Sequence, residues 1–174
     1  MKNIFLVFDK INKNLDDEKE IKIVESCFNN SCLKEGFLKV SDEKPKTIFK
    51  KYCKKNNIDV DWKKIKNNKK VLDYFIGTLK NKYKRPRPKK ILAKKNKKYE
   101  KIKNMTSYSF PSGHTAGARF IAELLANDHP KYASDFFTLS DLIGQSRLEN
   151  GVHYETDVLW GKYLGEQLAN TIIK

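Results

Sequence analysis

The chain has 174 residues, 39% of them hydrophobic and 33% charged, and a formal net charge of +15 from 36 Lys and Arg against 21 Asp and Glu. That length suits a single domain, 1–174, able to bury roughly 70% of its unfolded surface, and no stretch approaches the roughly twenty apolar residues of a membrane-spanning helix. Three cysteines, Cys27, Cys32 and Cys53, make no disulfide framework, and with no histidine near them they make no zinc site.

At the N-terminus Ile4 to Phe8 is apolar for only five residues and stops at Asp9, short of a signal-peptide core of roughly seven to fifteen. The sequence therefore reads as cytoplasmic, or as periplasmic or secreted where a leader was removed. Asp16-Asp17-Glu18 is placed to start a helix through Ile21, Ile23, Val24 and Phe28. A second helix is expected within 40–57, with Ser41 or Asp42 before it, Pro45 in its first turn, and Ile48, Phe49 and Tyr52 as its apolar face. Asp61 caps a third. Val71, Leu72, Phe75, Ile76 and Leu79 recur at three-to-four spacing and mark a stronger helix, with Lys80 at its C-terminal side.

Arg85-Pro86-Arg87-Pro88 ends that helix, because the residue before each proline is driven out of the helical region. The run 89–103, dense in lysine with Ile91, Leu92, Tyr99 and Ile102 interspersed, reads as a solvated face that borders the pocket built by its flanking segments. Pro111-Ser112-Gly113-His114 then opens the apolar-periodic run 116–126. The first N–H groups of such a helix lack intrahelical partners and carry the positive end of its dipole, so they form an anion site that His114 faces. Pro130 fits the start of the next helix, where Tyr132, Phe136, Leu139, Ile143 and Arg147 share a stripe. Asn150-Gly151 is a turn. His153 and Asp157 follow at i and i+4 on a last helix, 154–173, where Gly161 and Gly165 permit close helix approach. The whole reads as an all-α bundle with its anion ligands gathered at helix ends.

Lys80-x6-Arg87-Pro88, then Pro111-Ser112-Gly113-His114, then Ser146-Arg147-x5-His153-x3-Asp157 resembles the three-part signature of the type 2 phosphatidic acid phosphatase superfamily. With Arg85 two before Arg87 and Ile143-Gly144-Gln145 leading into the third block, the chain is most similar within it to soluble bacterial class A non-specific acid phosphatases. The resemblance covers 79–174; 1–78 is a helical N-terminal part without a recognised signature. It implies a single-domain helical bundle of the acid phosphatase/vanadium haloperoxidase type and a phosphatase. His153 would attack phosphorus, Asp157 would orient it, and His114 would protonate the leaving alcohol and later activate water. Lys80, Arg87, Ser112, Gly113 and Arg147 would bind phosphate, with Arg85 as a further ligand or as a salt-bridge partner.

The residue types support the same chemistry, since phosphoryl transfer needs positive groups around the equatorial oxygens, an in-line nucleophile and an acid. The excess charge implies anionic partners, here a small phosphorylated substrate rather than a specific nucleic acid, unless the lysines reflect only genome composition. No metal or other cofactor is expected. Vanadate is expected as an inhibitor, or as the cofactor in the alternative reading, a vanadium-dependent haloperoxidase. A peripheral lipid phosphate or diphosphate phosphatase and a non-enzymatic polyanion-binding protein are the further alternatives. A homo-oligomer is compatible with all of these features. The serines Ser107 and Ser109 and the tyrosine Tyr108 are expected only to line the mouth of the pocket.

Overall fold

The computed structural model describes residues 7–8 and 17–173, so Ile4 to Leu6, Asp9 and Asp16 of the sequence reading lie outside the described residues. The described elements are α1 (Asp17–Asn29), α2 (Glu35–Val40), α3 (Pro45–Lys55), α4 (Trp62–Tyr83), α5 (Pro88–Lys95), a 3-10 turn (Lys97–Lys101), α6 (Gly113–Asp128), a second 3-10 turn (Pro130–Tyr132), α7 (Ala133–Glu149) and α8 (Glu155–Ile173). Among the described residues there is no strand, which bears out the all-α reading.

α6 is the axis of the bundle. Its Ala116, Ala118, Ile121, Ala122 and Leu125 are buried, and it packs along α7 and α8 and against α3 and α4. Small residues let the backbones meet: a Cβ on Gly161 of α8 would lie 2.6 Å from the Ser112 carbonyl oxygen, and one on Gly165 would strike the Ala116 carbonyl. The side-chain oxygen of Ser112 receives the Thr115 N–H at 3.4 Å and caps α6. The peptide before Pro111 is cis. α8 thus lies against the first turn of α6, which draws its own N-terminus up to the start of the helix next door.

Local chemistry explains most element boundaries. Asp61 caps α4 by accepting the N–H groups of Lys63 and Lys64, each at 2.9 Å, and Lys84, left-handed at φ 48°, closes it. The two helices read separately around Asp61 and Leu72 are this one helix, and Val71 faces outward from it, 48% exposed. Pro45 stands first in α3, as expected, but Lys44 occupies the cap position and its side chain does not cap. Ser41 and Asp42 lie before that helix, as expected, and turn their side chains to Arg147. Pro130 begins a short 3-10 turn, with the α-helix starting at Ala133.

The lysine-rich run 89–103 departs most from the sequence reading. It is ordered as α5 and a 3-10 turn, and it buries Leu92, Tyr99 and Ile102 with Ile21, Val24, Val152 and Tyr154 in a second apolar cluster. Those anchors stand seven and three apart, across a break in the helix, so no single periodicity marks them. The lysines between remain exposed. This cluster ties α1 and α5 beneath the loop that carries His153.

The tight α6–α8 contact sets a testable limit. Gly161→Ala is expected to push α8 off the first turn of α6 and to lower the unfolding free energy by about 1–3 kcal/mol, measured by urea denaturation, whereas Gly77→Ala, whose Cβ would meet nothing within 4 Å, is expected to stabilise slightly.

Candidate active site

The signature residues come from the C-terminal end of α4, the segment that follows it, the start of α6, the end of α7 and the start of α8. His153 lies in the turn before α8 rather than on it, and Asp157 is in the first turn of α8. The i, i+4 pairing therefore survives in a different form: Asp157 folds back to accept the Tyr154 N–H at 3.0 Å and lies 3.1 Å from Nδ1 of His153.

Asp157 is fully buried. Arg85 donates to its Oδ1 at 2.9 Å, and the Ser109 hydroxyl donates to its Oδ2. Burial opposes its charge, but the His153 hydrogen bond, the Arg85 charge and the Ser109 hydroxyl hold its carboxyl below the usual range. Ser109 thus belongs to the site and does not merely line its mouth.

Arg85 settles as a salt-bridge partner. Its guanidinium donates to Asp157, to Glu20 at 3.0 Å, to Asp17 at 2.6 and 3.0 Å and to Thr156 at 2.7 Å, while lying 3.8 Å over the Tyr154 ring. Every one of its nitrogens is engaged by the protein, so it is not placed as an anion ligand. Asp17 and Glu20 sit on α1, in the half of the chain that carried no signature. Only their position in an acidic helix start was visible in the sequence.

Arg87 has a different role. It donates to the Ser107 carbonyl at 3.0 Å, the Ser107 hydroxyl at 3.0 Å and the Val152 carbonyl at 2.8 Å, and its Nη1 lies 2.8 Å from Nε2 of His153. A guanidinium can only donate. Nε2 is therefore the accepting, unprotonated nitrogen, and Nδ1 carries the proton given to Asp157. Burial, helped by the charge of Arg87, pushes His153 down to about 3, against the pull of Asp157. The ring is neutral, with its lone pair under a cation.

On the far side Arg147, also buried, donates to Asp42 at 3.0 Å, to the Ser41 hydroxyl at 2.6 Å and to the Ser146 hydroxyl at 2.9 and 3.1 Å. That is the work of Ser41 and Asp42. The short helix–loop preceding α3 delivers a counter-ion to the arginine at the end of α7, and Lys103 shares it at 3.2 Å. His114 lies beside this pair. Burial and the Arg147 charge push it down to about 4, while a hydrogen bond to the Asp42 backbone pulls the other way, and its Nε2 is buried without a hydrogen-bond partner among the described residues.

Lys80, in the last turn of α4, donates to the carbonyls of Tyr108 and Ser109. Burial and then the Arg87 charge lower its ammonium to about 7. The Ser112 N–H, expected to face an anion, instead donates to the Asp157 carbonyl at 2.8 Å, because the α6–α8 contact brings that carbonyl to it. Gly113 and His114 are left to offer the first N–H groups of α6. The structure thus brings together Lys80, Arg87, Gly113, His114, Arg147, His153 and Asp157, keeps Ser112 as the helix cap, and withdraws Arg85 to support Asp157. Cations and helix N–H groups surround a neutral imidazole whose lone pair points into them, an arrangement able to bind a phosphoryl group and attack it.

The PAP2 superfamily profile matches residues 70–174. The chain is similar to a non-specific acid phosphatase of Salmonella typhi and to one of Salmonella typhimurium, each 39% identical over 57 residues, which is 33% of this chain and 23% of the relative. The match therefore spans about a quarter of those relatives' length. Its fold is similar to that of a transmembrane PAP2 type phosphatidylglycerolphosphate phosphatase from Bacillus subtilis, with TM-score 0.64 and 20% identity over 98% of this chain and 92% of that one. Among the described residues no helix of this chain is long and apolar enough to cross a membrane.

The support given by Arg85 is measurable. Arg85→Ala leaves Glu20 and Asp157 buried without their cation and is expected to destabilise the protein by about 3–5 kcal/mol, read from chemical denaturation. A loss below about 0.5 kcal/mol, the scale of an ordinary surface substitution, would show that the network does not hold α1 to α8.

Proposed function

The chain belongs to the PAP2 superfamily, and from that premise we propose that it is a metal-independent phosphatase that hydrolyses phosphomonoesters through a phosphohistidine at His153. The observation that carries this reading is the state of His153: buried, neutral, with Nδ1 fixed by Asp157 and Nε2 turned to Arg87. A structural core histidine needs no arginine on its second nitrogen. Both kinds of relative are phosphatases by name.

In the proposed cycle the phosphate dianion engages Lys80, Arg87, Arg147 and the N–H groups at the start of α6. Drawing Arg87 onto a phosphate oxygen uncovers the Nε2 lone pair, which forms a bond to phosphorus as the ester P–O bond breaks. The Nδ1 proton stays on the ring, stabilised by Asp157. His114 passes a proton to the departing alkoxide; neutral, it then takes one from the water that attacks phosphorus and cleaves the P–N bond, giving inorganic phosphate and regenerating both histidines. The positive charge that the transition state requires comes from side chains and helix N–H groups, and arginine forks suit the phosphoryl oxygens.

Hydrolysis of 4-nitrophenyl phosphate in the presence of EDTA tests the reading. The wild type is expected to turn over, with His153→Ala slower by about 10⁴-fold or more, and a base-stable phosphoprotein is expected to accumulate on rapid quenching of the wild type alone. A folded wild type without activity, or a His153→Ala variant that retains it, would overturn the proposal.

The pH dependence has a definite sign. kcat/KM reports the free protein, in which Lys80 loses its positive charge as pH rises through about 7 and His114 is protonated only near and below about 4. kcat/KM is therefore expected to be highest on the acid side and to fall through neutrality; a steady rise above pH 9 would contradict the assignment. The negative charge of bound phosphate raises the affinity of His114 for its proton, so the fall of kcat with rising pH is expected to lie at higher pH than that of kcat/KM.

A further inference from the structure

The two histidines stand in different surroundings. His153 meets Arg87 and Asp157, whereas His114 lies at the Asp42 backbone, where the Asp42 carboxylate joins Arg147 to Lys103. In-line displacement places the leaving oxygen opposite the nucleophile. On the phosphatase reading, on which this inference rests, the alcohol therefore departs on the His114 side, towards Asp42 and Lys103. A cavity of about 370 Å³ opens there, and both residues line it, a volume within the range that holds small-molecule ligands. Asp42 is the partition: one oxygen faces Arg147 at 3.0 Å and the other faces Lys103 at 3.2 Å.

The walls of this cavity specify a chemistry. Phe28, Leu38 and Ile102 supply apolar surface, and the Lys101 ammonium lies 5.4 Å over the Phe28 ring. Asn150 also lines it, and its Nδ2 is buried with no hydrogen-bond partner among the described residues. A buried donor left unmade is costly, and a ligand acceptor would satisfy it. The second acidic wall, Glu149, is already engaged by Ser31, by the Leu33 N–H at 3.0 Å and by Gln145 at 3.0 Å. What remains on offer is a ring, aliphatic surface and hydrogen-bond donors.

We propose that this cavity is the leaving-group subsite, and that it selects phosphomonoesters whose alcohol carries an apolar ring bearing hydrogen-bond acceptors. The subsite draws on α1, α2 and the segment after the 3-10 turn, so the N-terminal half of the chain sets substrate choice while the C-terminal half carries out the transfer.

The test compares phosphate release from 4-methoxybenzyl phosphate and from glycerol 1-phosphate, both esters of primary alcohols, by the full chain and two variants. Leu38→Trp fills the cavity and Lys101→Glu replaces a donor by an acceptor at an exposed position. Each is expected to lower kcat/KM for the benzyl ester by about tenfold, the scale of a pocket contact, with the glycerol ester essentially unchanged. Variants that leave the ratio of the two esters at its wild-type value would overturn the subsite while the phosphatase reading stands. If Leu38→Trp lost both activities through misfolding, the ratio in Lys101→Glu decides. A wild type that releases phosphate from neither ester nor from 4-nitrophenyl phosphate overturns the phosphatase reading, and the subsite with it.

Discussion

A single buried carboxylate holds the arrangement together. Asp157 receives donors from the turn before its own helix, from the segment before α6 and from the segment after α4, and its carbonyl takes the Ser112 N–H. A charge removed so completely from water is tolerable only when it is paired and fully hydrogen-bonded. Each of these partners is therefore positioned by the need to satisfy it. The glycines at 161 and 165 serve the same end, since only a close α6–α8 contact lets the Asp157 carbonyl reach Ser112. Folding and the preparation of His153 are in this sense one event.

The N-terminal half enters at two points. Asp17 and Glu20 neutralise Arg85 from behind, and Asp42 does the same for Arg147, with the Ser41 hydroxyl as a further acceptor. Both arginines are buried, so neither would be tolerable in the bundle without a counter-charge. Two short acidic stretches thus make it possible for a strongly basic chain to concentrate cations in its interior. The surface lysines, by contrast, make mostly exposed ion pairs of little energetic weight.

The C-terminal half was legible because each of its devices is local. A cap precedes a periodic run and glycines recur along one helix face, so α6, α7 and α8 could be placed from spacing; the three motif blocks in fixed order carried the resemblance that gathered His114, Arg147, His153 and Asp157, with His153 found before α8 rather than on it. What escaped was non-local. Asp42 meets Arg147 from 105 positions away and Asp17 meets Arg85 from 68, and no sequence period connects such pairs. Ser41 and Asp42 read in the sequence only as residues before a helix; that a buried guanidinium takes up their side chains shows only in the structure. Arg85 had two readings open, and only the positions of Glu20, Asp17 and Asp157 decide between them. The lysine run misled for the opposite reason: its charges dominate its composition, while its three buried anchors decide its place.

On the proposed mechanism, the contacts Arg87–His153 and Arg147–Asp42 would also bear on the release of product. A pocket with bare cations would retain inorganic phosphate, and each turnover would end in a trap of the protein's own making. Here Arg87 and Arg147, the arginines proposed to hold phosphate, each have an internal acceptor, Nε2 of His153 for one and the Asp42 carboxylate for the other. Departure of the product is then an exchange of partners rather than a separation of charge, and it leaves the pocket in the same state in which it met the substrate. On the proposed mechanism, the resting hydrogen bonds that cover His153 would keep the cycle from stalling on its own product.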